Sequence, residues 1–316
     1  MDINILLALQ EFRSQAGTVL NDFFVKMTFL GELNTVIVIM ALLYWSVSKE
    51  LGTYLLMGWS GNRLVNGALK VTFCAYRPWI RDARIVPYGN SMTTATGYSF
   101  PSGHTMNGTT VFGGGALRRE FSKALRITLG LVVALIAFSR IYLGVHTPQD
   151  ILVGAGAGML VMWGTSRLMQ WLAAHPEKDL LVMFIGIGLG VAIAVYASVK
   201  PYPADYDAAG KLIVDGAKMA NDTFKGVGYC TAFLVGWVLE RRYVGFSTEV
   251  PLSQKLARAV IGLMGYYALS LIFGALLKQW MPGAAASALS CFLQIFYIVF
   301  LFPACAKRFE QKNDKA

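Results

Sequence analysis

Nine apolar runs, at about 33–48, 51–69, 104–117, 126–143, 150–166, 179–199, 227–239, 257–277 and 283–304, leave this chain little choice of fold. They recur through 316 residues that are 55% hydrophobic and only 15% charged, with a mean hydropathy of +0.51. A soluble domain of this size is less apolar, so the expected architecture is all-α, a polytopic bundle of transmembrane helices. Residues 3–31 carry a weaker, mixed pattern with Arg13, Asp22, Phe23, Phe24 and Lys26, which suits an amphipathic helix lying on the membrane. The first 14 residues include Asp2 and Glu11 and lack a basic stretch followed by an apolar one, so no cleavable signal peptide is expected.

The formal net charge of +10 is explained by where the cations fall. With the N-terminus outside and sides alternating, Lys49, then Arg118, Arg119, Lys123 and Arg126, then Arg167 and Lys178, then Arg241, Arg242, Lys255 and Arg258 lie inside. Lys307, Arg308, Lys312 and Lys315 of the C-terminal tail lie there too. Basic residues hold loops on the cytoplasmic side, so the charge implies a membrane topology and no nucleic-acid partner. Cys74, Cys230, Cys291 and Cys305 have no paired spacing, so neither a disulfide framework nor a zinc site is expected. The longest polar connection, Lys200 to Lys225, contains Pro201, Pro203, Asp205 and Asp207 and reads as an outer loop.

The same alternation brings three short motifs to the outer face. They are Lys70, Arg77 and Pro78; Pro101, Ser102, Gly103 and His104; and Ser139, Arg140, His146 and Asp150. Their chemistry is that of phosphoryl transfer, which needs cations and oriented amides around the equatorial oxygens. Ser102, Gly103 and His104 would open a helix, where unsatisfied N–H groups attract an anion. Lys70 and Arg140 would close helices, and Arg77 can fork two donors onto phosphate. Lys70 or Arg140 alone would read as an interfacial snorkelling residue.

His104 and His146 supply an acid and nucleophile pair. Asp150, four residues after His146, can accept a ring N–H and fix the tautomer. Thr147 to Asp150 also resemble a helix start with Thr147 as the cap, and the two roles are compatible. His175 reads as a solvated loop residue. Arg63, inside the second run, reads as satisfying neighbouring carbonyls rather than extending the field beneath the site. Gly113 to Gly115 and the glycines from Gly154 read as helix-packing surfaces.

In order and spacing the motifs resemble the three-part signature of the type 2 phosphatidic acid phosphatase and vanadium haloperoxidase superfamily. The resemblance is tightest from Lys70 to Asp150, and the nine-span layout is similar to that of the glucose-6-phosphatase branch. It implies a six-span core at 33–199, after an N-terminal segment at 1–32 and before an outer loop, three further spans and a basic tail at 200–316. By the same resemblance, His146 attacks phosphorus, His104 protonates the leaving alkoxide, Asp150 partners the nucleophile, and Lys70, Arg77, Ser102, Gly103 and Arg140 bind phosphate. No metal or other cofactor is implied.

The fourteen residues from His104 to Leu117 make about 21 Å of helix against roughly 30 Å of hydrocarbon. A site sunk in this way suits a lipid phosphate or diphosphate, with a soluble sugar phosphate as the alternative, and a phosphotransferase or transporter behind both. The expected location is a bacterial plasma membrane, with the C-terminus cytoplasmic and the site extracytoplasmic. An acid and a base of this kind imply a bell-shaped dependence of turnover on pH. A monotonic rise to strongly alkaline pH would contradict the pairing.

Overall fold

A computed structural model describes residues 2–281 and 283–313, which are helical apart from their connections. The helices are α1 (Asp2–Gln15), α2 (Gly17–Phe29), α3 (Leu33–Leu42), α4 (Lys49–Phe73), α5 (Pro78–Arg81), α6 (Gly103–Gly108), α7 (Gly114–Leu117), α8 (Lys123–Tyr142), α9 (Pro148–Ala174), α10 (Asp179–Val199), α11 (Gly216–Leu239), α12 (Leu252–Trp280), α13 (Gly283–Phe296) and α14 (Phe302–Asn313). Each of the nine apolar runs becomes helical. Five helical stretches are long and apolar enough to cross a membrane, or six if α2 with α3 and its continuation to Val47, bent by 57°, form one span. The shortfall from nine has physical causes. Lys49, Glu50, Arg63 and Lys70 dilute α4, Lys218, Asp222 and Lys225 dilute α11, and α6 and α7 are short pieces around a π-helical turn at Thr109–Gly113.

Two expectations change. The N-terminal segment is two helices rather than one surface helix, and its Arg13 is buried at 6% exposure. The loop after Lys200 ends earlier than its polarity suggests, because α11 already starts at Gly216. Lys315 lies outside the described residues, as does the side chain of Lys312.

The chain forms two compact units. The first comprises Met1–Val36, Val65–Gly164 and Lys200–Met219, and the second Ile37–Leu64, Thr165–Val199 and Ala220–Ala316. In the second unit two π-helical stretches, Leu43–Val47 and Tyr297–Leu301, meet. Tyr44 Oη and Trp45 Nε1 donate to the carbonyls of Val299 (3.1 Å) and Ile298 (2.8 Å), so indole and phenol take up groups that a π-turn leaves loosely paired. Arg63 Nε is buried there without a partner, so that atom does not make the carbonyl contact expected of it. His175 is exposed and stacks on Trp171, as a loop histidine would.

Helix packing in this unit turns on Gly228. A Cβ there would fall 2.2 Å from the carbonyl oxygen of Ala288, which is backbone and cannot swing aside. Gly228→Ala should therefore lower thermal stability in detergent by about 1–3 kcal/mol, the usual penalty for overpacking. Gly274→Ala, at a position open to its surroundings, should leave the melting temperature unchanged or raise it.

Candidate active site

All eight candidate residues lie in the first unit, carried by the ends of four helices and by two connections, those before α5 and between α8 and α9. Lys70 occupies the last turn of α4 and Arg140 the last turn of α8, where carbonyl groups favour a cation. Lys70 Nζ donates to the Tyr98 carbonyl at 2.7 Å. Ser102 is the N-cap of α6, its Oγ accepting from Thr105 N at 3.3 Å, and its own N–H donates to the Asp150 carbonyl at 3.0 Å. That bond ties the start of α6 to the start of α9. Gly154 permits the approach, since a Cβ there would lie 3.1 Å from the Ser102 carbonyl oxygen. Gly158 likewise faces Thr109, so these glycines do pack helices together. At Gly103 a Cβ would meet only the Asn66 side chain, at 3.7 Å, which leaves the first turn of α6 open.

His146 sits in the short link between α8 and α9 at 1% exposure, and Asp150 in the first turn of α9. The ring Nδ1 is 3.1 Å from Asp150 Oδ2, while Nε2 is 2.8 Å from Arg77 Nη1. A guanidinium can only donate, so Nε2 carries the lone pair and Nδ1 the proton that goes to Asp150. Both readings of Asp150 hold in the geometry. Its carboxylate accepts from Thr147 N at 2.8 Å as a helix cap while also partnering the ring.

A third donor was not foreseen from sequence. Ser99, 1% exposed, donates to Asp150 Oδ2 at 2.5 Å. It stands three residues before Ser102, and only that proximity marks it.

Arg77 is anchored by backbone. It donates to the carbonyls of Gly97 (3.0 Å), Thr96 (3.1 Å) and Val145 (3.0 Å) besides touching His146. Burial lowers its pKa to about 10, which leaves it charged at neutral pH. Burial, then the charge of Arg77, holds the His146 pKa well below 6.5, against a smaller opposing effect of Asp150. That favours the neutral ring at physiological pH. Two groups are left without partners. Arg140 Nε and Nη2 form one edge of a fully buried guanidinium, and His104 Nε2 is buried as well. The cations Arg140, Arg77 and Lys70 all act on His104, with the neutral His146 ring beside them, so the five side chains share one electrostatic neighbourhood.

Residues 51–174, which contain every one of these side chains, match the PAP2 superfamily, and residues 224–314 match the transmembrane extension of PAP2 superfamily phosphatases. The chain belongs to the PAP2 superfamily. It is an integral membrane phosphatase of the PAP2 type, as its motifs implied. Among curated proteins it is similar to phosphatidylglycerophosphatase B of Bacillus subtilis (strain 168), with 29% identity over 46% of this chain and 72% of the relative. It is also similar to lipid phosphate phosphatase delta of Arabidopsis thaliana, 28% identical over 56% of this chain and 43% of that protein's length. The crystal structure of a transmembrane PAP2-type phosphatidylglycerolphosphate phosphatase from Bacillus subtilis covers 53% of this chain and 85% of its own, with 24% identity and a TM-score of 0.44.

For this PAP2 phosphatase, Asp150→Asn should leave the fold intact and lower kcat by roughly a hundred- to ten-thousandfold, because an amide can hold the wrong tautomer. Ser99→Ala should cost less. The depressed His146 pKa also carries a stability signature. The unfolded chain binds a proton near pH 6.5 that the folded chain refuses, so the contribution is present above 6.5 and is lost as pH falls toward the folded value. Melting temperature measured from pH 7 down to 5 should fall more steeply for the native protein than for His146→Gln.

Proposed function

We propose that the protein hydrolyses a lipid phosphate or diphosphate monoester at the extracytoplasmic face, through a phosphohistidine on His146 and without a metal ion. The carrying observation is the buried His146–Asp150 pair, whose Nε2 lone pair faces Arg77. In this reading a substrate phosphate takes over the Arg77 Nη1 donor and exposes the lone pair to phosphorus. The P–O bond to the leaving group breaks as the N–P bond forms, and the departing oxygen takes its proton from His104. Asp150 stabilises the positive charge that develops on the ring. Water then attacks phosphorus with His104 receiving its proton, and His146 returns to the neutral form.

Charge on the equatorial oxygens is met by Lys70, Arg77, Arg140 and the N–H groups at the start of α6, including Gly103. Among the described residues no three His, Cys, Asp or Glu side chains converge as metal ligands. The lipid assignment is supported by the relatives, both named for lipid substrates, and by the shortness of the helix that begins at Gly103. The extracytoplasmic placement is supported by the distribution of Lys and Arg, and a bacterial plasma membrane fits the same topology.

The test is phosphate release by purified protein from phosphatidate, a polyprenyl diphosphate and glucose 6-phosphate, with chelator present and His146→Ala alongside. Release from a lipid that survives chelator and disappears in the variant is expected. Preference for glucose 6-phosphate would make this a sugar phosphatase. Phosphate passed to an added alcohol instead of water would make it a phosphotransferase.

A further inference from the structure

The family match begins at residue 51, so α1 and α2 lie wholly outside it. Both nevertheless end on the phosphate site, and both belong to the same compact unit. From α2, the Thr28 hydroxyl accepts a hydrogen bond from Arg140 Nη1 at 2.5 Å, with the two side chains 6% and 0% exposed. From α1, Arg13 donates to the Tyr142 carbonyl at 2.8 Å and the Val86 carbonyl at 2.7 Å, where α8 ends. Tyr142 Oη donates in turn to Asn21 of α2 at 2.5 Å, and Asn107 of α6 donates to the Gly31 carbonyl at 3.0 Å. Gly31 lies against His104, where a Cβ would come within 2.8 Å of the histidine carbonyl oxygen.

We propose that this N-terminal helix pair is a working part of the phosphate site, with Thr28 as the positioning residue that turns the Nε and Nη2 edge of Arg140 toward the bound phosphate. A guanidinium binds phosphate through two parallel N–H groups, and the edge made by Nε and Nη2 is one such fork. That edge is the one without partners, while the opposite nitrogen, Nη1, is held by Thr28. A long side chain free to rotate would lose this presentation, and a single bond at the far nitrogen fixes it.

The choice of a hydroxyl matters. A carboxylate in the same place would form an ion pair with Arg140, whereas the Thr28 hydroxyl holds it without adding a negative charge to that of Glu32. Arg13 acts one step further back, pinning the carbonyl end of the helix that carries Arg140.

This rests on the reading of Arg140 as a phosphate ligand, and its test separates the two ideas. Thr28→Val removes the acceptor at nearly constant shape, and Thr28→Ser keeps it. Two quantities are measured in detergent, the rise in melting temperature with inorganic phosphate and the kcat and KM for the best lipid phosphate. Thr28→Val should lose the phosphate-dependent rise and roughly ten- to a hundredfold in kcat/KM, while Thr28→Ser retains both.

If Thr28→Val behaves as the native protein does, or if Thr28→Ser is as impaired as Thr28→Val, the hydroxyl is not a positioning group and the proposal falls. Should Thr28→Val fail to fold, Thr28→Ala is read by the same criteria. Arg140→Gln separates the outcomes. If it keeps the native phosphate-dependent melting rise and kcat/KM, the reading of Arg140 as a phosphate ligand is wrong; if it loses both while Thr28→Val keeps them, Arg140 binds phosphate and only the positioning role of Thr28 falls.

Discussion

Two buried guanidinium groups, Arg77 and Arg140, repel one another, and among the described residues neither forms an ion pair. Removing such ions from water costs several kcal/mol each, even after relaxation. Their direct hydrogen bonds go to neutral acceptors, the carbonyls of Thr96, Gly97 and Val145 and the ring Nε2 of His146 for Arg77 and the Thr28 hydroxyl for Arg140, while the charges of Asp150 and Glu32 offset part of the cost without an ion pair. The helix ends follow from the same constraint. Helices α4 and α8 stop with Lys70 and Arg140 in their last turns, and α6 begins in the same unit, capped by Ser102.

In the second unit three cations, of which only Arg258 is buried, sit against carboxylates. Lys49 meets Glu240 at 2.6 Å, Arg242 meets Asp179 at 2.5 Å, and Arg258 meets Glu310 at 2.7 Å. Every one of these cations has a carboxylate, so the charges are spent on holding helices and loops in place.

Much of this was legible in the residues. Every apolar run became a helix, and the motif positions converged, because both signals are local and depend on residue type at fixed spacing. What stayed hidden was non-local. Arg13 in a weakly amphipathic helix reads as part of a polar face, and nothing nearby shows that its partners are the carbonyls of residues 86 and 142. Thr28 is one threonine in an apolar stretch, and its role exists only through a residue 112 positions away. The polar first turns of α11 hid a helix that apolarity alone would start later. Charges in α4 and α11 also blurred the line between a helix and a membrane span.

The reach of Arg13 to Tyr142, across 129 positions, bears on how the molecule is made. The first two helices leave the ribosome long before the segment that carries Arg140 and His146 has been synthesised. Until α8 is in place, Arg13 lacks the Tyr142 carbonyl and Thr28 lacks Arg140, and an incompletely paired arginine is poorly tolerated in lipid. The nascent N-terminal pair therefore has reason to wait at the interface and to dock only after the fourth apolar run has crossed. Assembly of the phosphate site would then be a late event that begins with the earliest residues, a high-contact-order closure of the kind that sets the pace of folding.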